Sequence, residues 1–126
     1  MEEYFRLMSK LENIKSILNN YTQLEECTDE SLNQQYLEII PMVNLLKNDE
    51  KYAIDIVSEL INLYRYDFIS DTTFDYGILL KDILNTTKFS DLFNLFIIDS
   101  ILQPEEDLPH FPKDIQTELI RLIHKN

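Results

Sequence analysis

Along nearly the whole chain, apolar residues recur at intervals of three and four. Tyr4, Leu7, Leu11, Ile14, Leu18 and Tyr21 form the first such row. That spacing places side chains on one face of an α-helix and predicts a helix from about Glu2 to Asn20. A second helix, from about Ser31 to Lys47, carries Leu32, Tyr36, Ile39, Ile40, Val43 and Leu46. Pro41 falls inside it and removes a backbone donor, so a bend is expected there. Asn48 or Asp49 can cap a third helix, whose row runs Ala53, Ile56, Val57, Leu60, Ile61, Tyr64 and ends near Tyr66. A fourth carries Tyr76, Leu79, Leu80, Ile83 and Leu84. Ser90 caps a fifth, Leu92 to Leu102, that is apolar on almost every side, as a central, doubly packed helix should be. Pro112 suits the first turn of a last helix bearing Ile115, Leu119, Leu122 and Ile123, with Asp114 and Lys125 placed to complement its dipole.

One glycine, Gly77, serves all 126 residues. Sheets joined by tight turns depend on glycine at positive φ, so the expected class is all-α, with about six antiparallel helices. Gly77 lies inside the fourth helix, where it costs about 1 kcal/mol relative to alanine; a close helix–helix approach is its expected use. A chain of this length is expected to form a single domain, residues 1–126. From about residue 49 onward the helices fall into two hairpins of roughly 40 residues, a period that resembles HEAT-like α-solenoids. A helical bundle and a short α-solenoid both fit the pattern.

Cys27 is the sole cysteine, so no disulfide forms within the chain, and a reducing, cytoplasmic location is expected. Its neighbours Glu25, Glu26, Asp29 and Glu30 disfavour a thiolate. The N-terminal residues lack the apolar core of a signal peptide, and the most apolar stretch, Leu92 to Leu102, is too short and too polar to span a bilayer.

Twenty-three acids against 11 bases give a net charge of −12. Direct binding of nucleic acid and of anionic membranes is disfavoured, and a basic protein is the complementary partner. The acids are unevenly spread. If the helices alternate in direction, the connections after the first, third and fifth share one end. These hold Glu25, Glu26, Asp29 and Glu30, then Asp67, Asp71 and Asp75, then Glu105, Glu106 and Asp107; with Arg65 and Lys113 counted there, that end carries −8 of the −12. Helix capping accounts for Asp29 and Asp71, but not for the Glu25–Glu26 pair or the Glu105–Asp107 run. The expected partner-binding residues are therefore Glu25, Glu26, Asp67, Asp71, Asp75, Glu105, Glu106 and Asp107.

Catalytic parts are not legible. His110 lies three residues beyond Asp107, with no recognisable nucleophile motif beside it, and His124 sits where a helix C-terminus favours a cation. Asp67, Asp71 and Asp75 lack the ligand alternation and central glycine of a calcium loop. One glycine cannot build a phosphate-binding loop. No catalytic residue, cofactor or metal site is expected, and a non-enzymatic binding role follows. Among Tyr52, Tyr66, Phe68, Phe74 and Tyr76, most are expected in the core.

In size, acidity, helix content and scarcity of cysteine the chain resembles bacterial immunity proteins, which neutralise secreted toxin domains, many of them basic nucleases. The resemblance covers the whole chain and rests on no motif. It implies tight, stoichiometric inhibition, by occluding the toxin active site or by binding beside it. Two other classes remain open: an acidic nucleic-acid mimic, with carboxylates spaced like phosphates along a surface, and a helical adaptor that binds a peptide in an apolar groove. Oligomeric state stays open as well.

Overall fold

The computed structural model describes residues 2–20, 30–68, 76–104 and 108–125. Among them lie six α-helices, α1 (Glu2–Leu18), α2 (Glu30–Leu46), α3 (Glu50–Arg65), α4 (Tyr76–Thr86), α5 (Asp91–Leu102) and α6 (Lys113–Lys125), one 3-10 turn at Tyr66–Phe68, and no strand. The all-α expectation holds.

Local chemistry sets the helix starts. Asp49 is the N-cap of α3, its carboxylate accepting from the Lys51 N–H at 3.1 Å. Ser90 caps α5: its Oγ accepts from the Phe93 N–H at 3.3 Å and donates to Glu50 Oε1 at 2.5 Å. That second bond ties the start of α5 to the start of α3. Ser90→Ala removes both bonds, and a loss of about 1 kcal/mol in urea unfolding is expected. α2 runs through Pro41 as one helix. Pro41 and Leu37 are both exposed, so water can serve the Leu37 carbonyl that the proline leaves without a donor.

Pairwise contacts fix the directions. Lys10 donates to Glu38 at 2.6 Å and Asn13 to Gln35 at 2.7 Å, so α1 and α2 run antiparallel. Tyr4 on α1 donates to Asp55 on α3, and Tyr66 just past α3 donates to Asn19 just past α1. These two helices therefore run in the same direction. α5 joins them, with Glu50 against Ser90 at one end and Arg65 against Ser100 and Ile101 at the other. Tyr36 of α2 packs edge-on against Tyr76 of α4, and Lys47 pairs with Asp82 at 3.0 Å. Lys81 pairs with Glu118 at 2.6 Å, linking α4 to α6. The fold is thus a bundle of three αα-hairpins in two layers: α1, α3 and α5 in one, α2, α4 and α6 in the other.

α3 is the central helix. Nine of its residues are buried, Ala53, Ile56, Val57, Leu60, Ile61, Asn62, Leu63, Tyr64 and Arg65. Residues from all six helices join it in one apolar cluster. Gly77 is buried in α4, where a side chain would need room in the packed α3–α4 hairpin.

One expectation is corrected. α5 is not central: only Phe93, Ile97 and Ile101 are buried. It has α3 on one flank and α6 behind it, and its remaining side faces solvent. Arg65, counted in the charge of the expected acidic end, does stand there and is fully buried.

Candidate functional site

Of the eight residues expected to bind a partner, Asp67 alone lies among the described ones. It is half-buried in the 3-10 turn after α3. Glu25, Glu26, Asp71, Asp75, Glu105, Glu106 and Asp107 lie outside the described residues. The chain leading into and out of their segments is described, and it converges. Asn19 meets Tyr66, Arg65 meets Ser100, Ile101 and Pro109, and Phe111 packs on Tyr64 and Phe68. The ends of α1, α3 and α5 therefore stand together with the entry to α6. This is the alternation on which the acidic-end reading depends.

Arg65 organises this end. Its Nη1 donates to the Pro109 carbonyl at 2.9 Å, and its Nη2 to the carbonyls of Ser100 at 2.6 Å and Ile101 at 3.0 Å. The guanidinium lies 4.1 Å over the Phe111 ring. A planar fork with several donors suits this role, since the last carbonyls of α5 lack donors within the helix and carry its negative dipole end. Arg65 sits four residues beyond Ile61 on the buried row of α3, which is the one sequence signal that marks it as an inward residue.

Charge is distributed unequally between the described helices and the segments between them. All 11 bases lie among the described residues, together with 15 of the 23 acids. Segments 21–29, 69–75 and 105–107 hold the other eight acids and no base. The opposite end is more balanced: Asp49 is used as a cap, Lys47 pairs with Asp82, and Lys125 reaches Asn85 at 3.5 Å.

Along α5, beginning at that opposite end, lies a surface sequence reasoning missed. Leu92, Leu95, Phe96 and Leu102 on α5 are 79%, 66%, 46% and 41% exposed. With Phe93 and with Ile54 of α3 the first three line an open apolar groove of about 610 Å³, rimmed by Glu50, Lys51 and Ser90. The adaptor reading anticipates such a groove. The sequence signal was present, since α5 is apolar on almost every side, but it does not distinguish two packed faces from one packed face and one exposed.

Comparison with protein-family models, with curated proteins and with solved structures finds no match to the chain. The two surfaces are therefore read on their chemistry alone.

Other sequence candidates resolve plainly. Tyr66 and Tyr76 are core residues, Tyr52 and Phe68 are partly buried, and Phe74 and Cys27 lie outside the described residues. His110 and His124 are exposed. Among the described residues no group of three or more His, Cys, Asp or Glu side chains could hold a metal, and no helix is long and apolar enough to cross a membrane.

Among the described residues the titration of Tyr4 is displaced furthest. The hydrogen bond from Tyr4 to Asp55, with burial and the carboxylate charge adding to it, raises the phenol from 10.0 to about 12. Folding favours the neutral phenol, so this contribution is complete below the unfolded value and is lost as pH rises through about 12. Absorbance titration should show one tyrosine ionising late, and Asp55→Ala should return it to the ordinary range.

Proposed function

We propose that the protein works by binding and not by catalysis. In this reading it is a cytoplasmic immunity protein of a bacterial toxin–immunity pair, neutralising a basic toxin domain, such as a nuclease, through the acidic end of the bundle. One observation carries the reading: the described chain around segments 21–29, 69–75 and 105–107 gathers at one end, and those segments hold eight acids and no base. Like charges gathered in that way repel, and a partner rich in Lys and Arg relieves the repulsion and is steered toward it. A nucleic-acid mimic is less well supported, since the acids of the described helices are interleaved with all 11 bases.

The test uses the toxin domain encoded in the reading frame beside that of this chain. Association is followed by stopped flow over a range of salt, for the parent and for a variant with Glu105, Glu106 and Asp107 each changed to Lys. The variant should associate about tenfold more slowly or worse at low salt, with a flatter salt dependence. Equal rates at every salt concentration would remove the acidic end from the interface.

A further inference from the structure

We propose that the uncovered side of α5 is a second docking surface, and that its occupant is an amphipathic helix of another protein with basic residues flanking its apolar anchors. The proposal is independent of the acidic-end reading, because the groove lies where α3 and α5 begin and the end proposed to bind the toxin lies where they finish.

The outer faces of the edge helices differ sharply. α6 turns Lys113, Asp114, Thr117, Glu118 and Arg121 to solvent, α1 turns Arg6, Ser9, Glu12, Asn13 and Ser16 together with Phe5, and α2 exposes Leu37 and Leu45 on either side of Pro41. Polar residues of this kind cap a helical stack. α5 instead exposes Leu92, Leu95, Phe96 and Leu102. Contiguous apolar stripes on a soluble surface mark contacts with other molecules. The spacing of Leu92, Leu95 and Phe96 is that of one helical row, and a trough lined by Ile54 of α3 runs beside it. A ridge beside a groove of this form accepts another helix, whose anchors enter between α3 and α5.

Charge selects the occupant. Asp91 and Asp99, both exposed, stand at the two ends of the row formed by Leu92, Leu95 and Phe96, two turns apart, and Glu50 rims the groove. Lys51 is drawn toward the Tyr52 ring, 5.5 Å from its centre. A second copy of this chain is disfavoured. In a two-fold pairing of α5 helices centred on Leu95 and Phe96, Asp91 of each copy falls within one turn of Asp99 of the other. Each copy also brings a net charge of −12. A helix with Lys or Arg on either side of its anchors meets Asp91 and Asp99 with opposite charge instead.

The probe is a synthetic amphipathic helix of about five turns, ~18 residues, with Leu and Phe anchors and Lys and Arg flanks. Its control has the same anchors and Glu flanks. Fluorescence anisotropy reads binding to the parent chain, to Leu95→Ser with Phe96→Ser, and to Asp91→Lys with Asp99→Lys. The basic peptide should bind one to one and the acidic peptide about tenfold or more weakly. Removing the anchors' seat with the two serine changes should weaken the basic peptide by about tenfold or more, in a variant that still unfolds cooperatively. Reversing Asp91 and Asp99 should invert the preference. Equal binding of both peptides, or binding that ignores the serine changes, overturns the proposal. So does a serine variant that fails to fold, which would make this face part of the fold. A parent dimer that the serine variant dissolves would assign the surface to a second copy. Binding lost only when Glu105, Glu106 and Asp107 are reversed would assign the peptide to the acidic end, leaving that reading intact and ending this one.

Discussion

Replacing Arg65 by methionine is expected to lower the stability of the chain by about 3 kcal/mol or more. Methionine nearly matches the length of the side chain but supplies no donor. The carbonyls of Ser100, Ile101 and Pro109 stay where they are, and each loses a charged partner. Burial keeps water from replacing it. The stacking on Phe111 is also lost. Lysine in the same place keeps the charge but cannot span three acceptors with a planar fork, so Arg65→Lys should fall between methionine and the parent. Urea unfolding of the three proteins measures this series. A methionine variant within about 1 kcal/mol of the parent would mean that the carbonyls find other donors. The effect reaches function, because Arg65 joins the end of α5 to the approach to α6 at the end proposed to bind the partner.

The second large effect contrasts two leucines. Leu60→Ala, in the middle of α3, should cost about 2–5 kcal/mol, because the side chain is fully buried and its loss leaves a cavity among neighbours from several helices. Leu92→Ala, on α5, should cost less than about 0.5 kcal/mol, because 79% of the residue is already in water. Were α5 the central helix that its composition suggests, the two substitutions would cost similar amounts. Denaturation midpoints for both variants decide between the arrangements.

The contrast also shows how much of the molecule is legible in its sequence. Helix rows are legible because each amphipathic helix states which side is buried: Leu7, Leu11, Ile14 and Leu18 on α1 and the Ala53-to-Tyr64 row on α3 are core as expected. The caps at Asp49 and Ser90 are legible because capping is local chemistry. α5 is misread because an all-round apolar helix carries no directional signal: Phe93 and Leu92 look equivalent until a neighbour covers one of them. The role of Arg65 is not legible in the sequence. A guanidinium is expected at the surface, and nothing nearby in sequence reveals that the acceptors for this one come from residues 35, 36 and 44 positions away. The candidate acidic end is legible as composition, and its premise, alternation of the helices, is met by the described contacts. Which partner it meets is a property of another molecule.

The central proposal is that the acids of segments 21–29, 69–75 and 105–107 act together at the end where α1, α3 and α5 finish. The most direct measurement is a titration of the isotope-labelled chain with oligolysine, followed by amide chemical shifts at low salt. The account predicts that the largest shifts among the described residues fall at Asn19, Tyr66, Asp67, Gln103 and His110, and fade with added salt. Shifts spread evenly over the helices, or strongest around Asp49, Glu50 and Asp91 at the opposite end, would contradict it.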